Sequence, residues 1–204
     1  MKVIARIHSD FPTKFGIPRQ SGLSTNEAVI VFEPEYRQEE CLRGIEEYSH
    51  LWLIWEFSET KDKPWSPTVR PPRLGGNKRI GVFATRSPFR PNPVGLSCVK
   101  LLRKEKTAQG TVLLVSGADM MDNTPIYDIK PYIPYADCHP EAQGSFAQEN
   151  KDYTLQVECG EKLLSILPEN KRKPLMEVLA QDPRPSYIDD PDRVYGFGYA
   201  GFEI

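Results

Sequence analysis

The chain has 204 residues, with 26 Lys and Arg against 28 Asp and Glu and a formal net charge of −2. That length suits one large domain, or one domain with a small appendage. With 39% hydrophobic and 26% charged residues it holds enough apolar material for a core, which excludes a disordered chain. Near-neutrality argues at first against a nucleic-acid partner, but the average conceals a partition. Lys63 to Lys104 is a run of 42 residues with ten Lys or Arg and no Asp or Glu. The remainder holds sixteen bases against 28 acids, a balance of −12. A +10 block is set in an acidic body.

No stretch approaches the roughly 18 apolar residues of a membrane span, and MKVIARIHSDF lacks the apolar segment of a secretory signal. Cys41, Cys98, Cys138 and Cys159 show no CxxC spacing, so no metal is expected. Reduced thiols in a cytoplasmic protein are the simplest reading. Cys138-His139 lies in a polar stretch without a sequence partner and reads as a loop pair.

In chain order, Lys2–Ile7 and Ala28–Phe32 are short, β-branched strands. Tyr36–Tyr48 sets Cys41, Leu42 and Ile45 at helical spacing among charges, which predicts a helix. His50–Phe57 follows as a buried strand. Ser58–Asn77 contains Pro64, Pro67, Pro71 and Pro72, which give no amide to a ladder, so a loop is predicted. Arg79–Ala84, Val94–Leu102, Thr111–Ser116, Ile126–Ile129 and Tyr153–Glu158 are further strand candidates. From Gly160 to Gln181 the apolar period turns helical, with Pro168 and Pro174 splitting it into two helices. Tyr195–Ile204 alternates aromatics with glycines, like a twisted strand or hairpin. Many short strands with frequent turns predict a mainly β protein with helices (α+β), a barrel or folded sheet. No GxGxxG follows a strand, so a Rossmann-type nucleotide site has no support.

Chemistry concentrates in three places. Gly81–Ser97 reads GVFATRSPFRPNPVGLS, where Pro88, Pro91 and Pro93 stiffen a loop displaying Arg86, Ser87, Arg90 and Asn92. Arginine forks suit phosphate or carboxylate, and few acids lie nearby in sequence to occupy them. Asp128 and Lys130 stand two apart, on one face of a strand, and Tyr132 continues that face. They fit either a proton-handling set or an internal ion pair. Asp182-Pro183-Arg184-Pro185 presents an arginine between prolines, and equally reads as the stop of the preceding helix. Near the N-terminus, Gly22 in FGIPRQSGL permits close backbone approach to a ligand. Trp52 and Trp55 read as core, His50 as a core or edge residue, and Trp65 as a contact residue or loop anchor.

These segments (FGIPRQSGL, YSHLWLIWEF, RPPRLGGNKRIGVFATRSPFRPNPVGLS, DNTPIYDIKPYIPYAD and QDPRPSY) run in order from residue 15 to 187, and the sequence resembles the TrmO family, also called YaeB or TsaA-like. The resemblance implies a β-barrel domain over residues 1–140 that binds S-adenosylmethionine, a small C-terminal domain over 141–204, and a homodimer. It implies methylation of N6 in N6-threonylcarbamoyladenosine at position 37 of threonine tRNA. The donor contacts it implies are Ser21, Gly22, Leu23, Ser58, Glu59, Arg86, Leu96, Ser116, Gly117, Ala118 and Asp119. Asp128, Lys130 and Tyr132 would then handle the N6 proton and hold the base, while Arg86, Arg90, Asn92, Asp182 and Arg184 would bind the substrate, Arg86, Arg90 and Arg184 taking the threonyl carboxylate and nearby phosphates. Arg70, Arg73, Lys78 and Arg79 of the basic block are expected to meet RNA. The family's Asp-Gly-Thr-Pro stands here as Asp122-Asn123-Thr124-Pro125, and asparagine tolerates the left-handed turn. Relatives continue beyond GFEI, so a shortened final hairpin is expected. A non-catalytic nucleotide- or RNA-binding barrel is the alternative.

Overall fold

Residues 1–71, 78–149, 152–184, 190 and 192–204 are described by a computed structural model. Side-chain alternation sets the inner face of each main strand. In β3 (His50–Glu56), Leu51, Leu53 and Trp55 are buried, while His50, Trp52, Ile54 and Glu56 are half-buried on the other face. The same alternation runs through β1 (Ala5–His8), β2 (Glu27–Phe32) and the first half of β6 (Val94–Thr107). With β7 (Gly110–Ser116) and β8 (Thr124–Pro131), these strands pair antiparallel in the order β1–β2–β7–β6–β3–β8. β8 also pairs with β1, so the sheet closes into a barrel. Ile7, Ile30, Leu51, Leu53, Val99, Leu113, Val115 and Ile126 fill the interior.

The structure corrects four local expectations. Tyr36–Tyr48 is not a helix but parts of three short 3-10 turns, Pro34–Tyr36, Glu39–Leu42 and Ile45–Glu47. Gly44 takes φ 82, a left-handed conformation that ends any helix there, and Leu42 alone is fully inserted over the barrel. Arg79–Ala84 supplies only the two-residue β5 (Ile80–Gly81). It pairs with β4 (Thr68–Val69), a strand inside the expected loop, before turning into a 3-10 turn at Val82–Ala84. Tyr153–Glu158 forms no strand; it is irregular chain, held by a backbone bond from Leu155 N–H to the Ala180 carbonyl at 2.8 Å. Pro174 does not divide the late helices, because α4 (Glu169–Ala180) runs through it.

Three short helices precede α4: α1 (Pro134–Asp137), α2 (Ser145–Glu149) and α3 (Glu161–Leu164). After it, β9 (Gly198–Tyr199) and β10 (Phe202–Glu203) form the expected terminal hairpin. A second apolar cluster joins Leu167, Leu175, Val178, Phe197 and Tyr199 to Phe11 from the start of the chain. Asp10 and Lys171, both largely buried, pair at 2.6 Å beside it.

Candidate functional site

β6 and β7 stay paired only as far as Lys100 opposite Ser116. Before Lys100, β6 loses that neighbour, and the segments 16–26 and 117–122 take its place. Ser21 Oγ accepts the Cys98 amide at 3.1 Å, and Gly22 N–H donates to the Gly117 carbonyl at 2.8 Å. Gly117 has φ 84, and a Cβ there would sit 3.1 Å from the Gly22 backbone, so both conformation and space require glycine. Asn26, fully buried, fixes the next residue by donating to the Ala118 carbonyl at 3.1 Å.

This arrangement carries Asp119 into the gap. Trp55 Nε1 donates to Ser97 Oγ at 2.9 Å, and Ser97 donates to Asp119 Oδ1 at 2.5 Å. Burial pushes the Asp119 carboxyl above its ordinary range, opposed by the Ser97 bond, by backbone amides including that of Ser21, and by the charge of Arg86. The carboxylate is thus oriented on one side and open to the cleft on the other.

The cleft has a volume of about 830 Å³, the size of a pocket for a nucleoside-sized ligand. Trp55, Phe57, Gly95 and Leu96 form its apolar wall, and Asp119 stands at its base. Gly95 faces Trp55 so closely that a Cβ would lie 2.3 Å from the indole. The opposite rim is the proline loop. Phe57 N–H bonds to the Pro93 carbonyl at 2.8 Å and Val94 N–H to Asn92 at 2.7 Å, while Arg90 Nη1 holds the Thr85 and Ser87 carbonyls. Arg86 donates to Gln20 Oε1. Arg79 donates to Thr68 Oγ1 at 2.7 Å. Among the described residues, none of these three guanidiniums is ion-paired with a carboxylate.

The expected donor contacts divide into two groups. Ser58, Glu59, Arg86, Leu96 and Asp119 line the cleft, as do Arg90 and Asn92 of the substrate set. Ser21, Gly22, Leu23, Ser116, Gly117 and Ala118 lie outside its wall; several of them build the backbone frame that orients Asp119.

Asp128, Lys130 and Tyr132 lie elsewhere. Asp128 and Lys130 pair at 2.8 Å on the outer face of β8, opposite Ile54 and Trp52. Leu96, Ile54 and Asp128 occupy one row across three strands, so Asp128 stands two strand spacings, roughly 10 Å, from the cleft wall. Tyr132 packs its ring against Trp52 and His50, and burial together with Cys138 raises its phenol.

Asp182 and Arg184 pair at 2.7 Å in a second, smaller cleft of about 390 Å³. The Arg184 bond, more than burial opposes it, holds the Asp182 carboxyl below its usual range. Arg70, Lys78 and Arg79 are exposed around the β4–β5 hairpin. Arg73 and the Pro185-Ser186-Tyr187 end of QDPRPSY lie outside the described residues.

Several cleft residues had no site role in the sequence reading. Arg19 Nη2 donates to the Gln181 and Asp182 carbonyls, and Gln181 Nε2 returns a bond to Leu23 O at 3.1 Å, tying the N-terminal loop to the end of α4. Trp55, expected as core, and Ser97, with no expected role, together orient Asp119. The signal for Trp55 was Gly95, the one small residue that leaves room for an indole opposite it.

A closed antiparallel barrel with a cleft where two strands part, floored by a carboxylate and rimmed by unpaired arginines, has counterparts among known proteins. Residues 6–138 match the model of the tRNA-methyltransferase O N-terminal domain. A protein of Escherichia coli K12 named tRNA (adenine(37)-N6)-methyltransferase is 45% identical over 197 residues, covering 90% of this chain and 81% of its own. A Pseudomonas aeruginosa protein named for S-adenosylmethionine-dependent methyl transfer is 41% identical, covering 95% of this chain and 85% of its own. A crystal structure of TrmO superposes with a TM-score of 0.77 at 34% identity, covering 100% of this chain and 90% of that one. The chain belongs to the tRNA-methyltransferase O family.

Proposed function

We propose that the protein methylates N6 of adenine 37 in tRNA with S-adenosylmethionine as donor, and that its substrate is the threonylcarbamoylated adenine of threonine tRNA. The observation that carries this reading is one cleft that joins an aromatic wall, a held carboxylate and arginines that, among the described residues, form no ion pair. Those residues suit a nucleoside with an amino-acid tail. Trp55 and Phe57 offer an apolar surface to an adenine, Asp119 an acceptor for hydroxyl or ammonium groups, and Arg86 a fork for a carboxylate. When bound, S-adenosylmethionine supplies an electrophilic methyl on a sulfonium.

The chain's own task is alignment, since holding two reactants in line lowers the barrier without further chemistry. Asp119 and Arg86 fix one reactant, and the Leu96–Ile54–Asp128 row leads from the cleft towards the other. The adenine N6 lone pair is delocalised into the ring, so the nitrogen attacks well only as its proton leaves. An acyl group on N6 makes that proton easier to remove. Asp128 takes it, with Lys130 and Tyr132 holding base or carbamoyl oxygens. Arg90, Asn92 and Arg184 bind the threonyl carboxylate and adjoining phosphates. We place the protein in the cytoplasm as a homodimer, with residues 141–204 as a small second domain.

Nucleoside mass spectrometry of threonine tRNA, with and without the protein, tests substrate and reaction together. The extra methyl on threonylcarbamoyladenosine should appear only with protein and donor. Asp128→Asn should lower its formation about 100-fold or more, the contribution of a general base, and Lys130→Ala should lower it as well. Full methylation by both variants would remove that pair from catalysis. If the donor gives no thermal shift at saturation, the barrel is a binding module instead.

A further inference from the structure

The basic block has an aromatic side that charge arithmetic does not reveal. Phe83 is 77% exposed, Trp65 52% and Phe89 42%, although large aromatic side chains are ordinarily mostly covered. All three belong to one hydrogen-bonded substructure. The Val82 amide bonds to Pro67 O at 3.0 Å, and the Ser66 amide bonds to Phe89 O at 3.5 Å, so the 65–69, 82–84 and 87–90 segments hold each other. Phe83 also lines the large cleft beside Arg86. The prolines and backbone bonds around these rings fix their positions before any ligand arrives. No acid occurs between Lys63 and Lys104, and among the described residues Arg79, Arg86 and Arg90 form no ion pair with a carboxylate, their hydrogen bonds going to neutral oxygens.

Exposed aromatic rings set among cations match the chemistry of unpaired nucleobases joined by phosphates. Every base has a π face that stacks on an aromatic ring, and the arginines follow the backbone. A paired RNA stem hides its base faces and would use the cations alone. We infer that Phe83, with Trp65 and Phe89 beside it, is a stacking platform for unpaired RNA bases next to the cleft. Phe83 at the cleft mouth holds the base adjoining the one that enters, and keeps the entering base from restacking. This inference rests on the proposed function for the choice of RNA over other anions.

Fluorescence anisotropy with a labelled single-stranded oligoribonucleotide, and with the same strand annealed to its complement, provides the test across a salt series. Phe83→Ala should weaken single-strand binding roughly 5- to 100-fold, the value of one base stack, and leave duplex binding unchanged. Phe83→Trp should restore it, while Phe83→Leu should not, because it supplies apolar area without a stacking face. The slope of log affinity against log salt should be the same in Phe83→Ala as in the parent, because stacking releases no counterions. Tyr48→Ala, an exposed aromatic outside the block, should have no effect. Equal single-strand affinity in Phe83→Ala and the parent would overturn the inference. So would a Phe83→Ala effect seen only on self-association in sedimentation, which would make the rings a contact between copies. The two readings fail separately. Methylation that ignores Phe83 leaves the proposed function standing and removes the platform; Phe83-dependent RNA binding without methyl transfer does the reverse.

Discussion

The two ends of β6 carry the same kind of charge and treat it in opposite ways. At the far end, Lys104 reaches Glu46 at 3.1 Å and Arg103 reaches Glu105 at 3.2 Å, so cations extending from the barrel are matched by acids. In the loop that leads into the cleft end, among the described residues, Arg86 and Arg90 form no ion pair: their hydrogen bonds go to carbonyls and an amide oxygen, and Arg86 lies near enough to Asp119 to favour its charge. Neutral acceptors orient a guanidinium without cancelling its charge, which leaves its field available to an anion. The basic run is therefore two surfaces, one internally compensated and one held ready.

The largest effect should come from the uncompensated end. Arg86→Ala should cut kcat/KM for methyl transfer to tRNA roughly 10- to 100-fold, the cost of losing a hydrogen bond to a charged group. A loss no greater than that of a far-end variant would dissolve the contrast between the ends. Next, Gly95→Ala presses a methyl into the Trp55 indole and should lower stability by about 1–3 kcal/mol in denaturant unfolding, with loss of the Trp55–Ser97 bond.

Asp119→Asn gives a smaller, pH-dependent effect. Because burial raises the Asp119 carboxyl, the folded chain binds its proton more tightly than the unfolded chain does. Ionisation at neutral pH therefore costs stability, and that cost disappears as pH falls below the ordinary value of 3.8. The asparagine variant should melt higher than the parent at pH 7, with the gap closing as the buffer is acidified past the raised value towards 3.8. A gap independent of pH would show that the carboxylate is not strained by burial. Smallest of all, Lys104→Ala removes an exposed pair and should change stability by less than about 1 kcal/mol, with little effect on methyl transfer.

Much of the barrel was legible because short apolar and β-branched runs bounded by turn residues mark strands. His50–Phe57 and Val94–Leu102 were legible as strands from their apolar, strand-length runs, but not which face turns inward: Trp52, expected as core, is half-buried on the outer face, and in β6 Gly95 and Ser97 point in while Leu96 points out. The helix expected at Tyr36–Tyr48 was misleading because three apolar residues matched a helical period that Gly44 interrupts. The proline loop was legible as a rigid display, since proline acts locally. Its placement against Trp55 and Asp119 was not, because that depends on β7 ending at Ser116 and on a loop 77 residues away capping Cys98. The spacing of Asp128 and Lys130 correctly put them on one face, but spacing cannot say which side of a closed sheet a cleft will occupy. Charge counts locate the basic block but not the exposed rings within it, because they say nothing of what lies between the charges.

The bonds from Arg19 to the end of α4, and from Gln181 back to Leu23, span 158 to 163 positions of sequence. They order events during synthesis. A nascent chain possesses every barrel strand once Pro131 has left the ribosome, and domains fold as units while translation continues. The loop that caps Cys98 gains its second anchor only about fifty residues later. The growing polypeptide thus completes its scaffold before its cleft, and an unfinished chain has a closed barrel while the loop that shapes its recess is still tethered at one end.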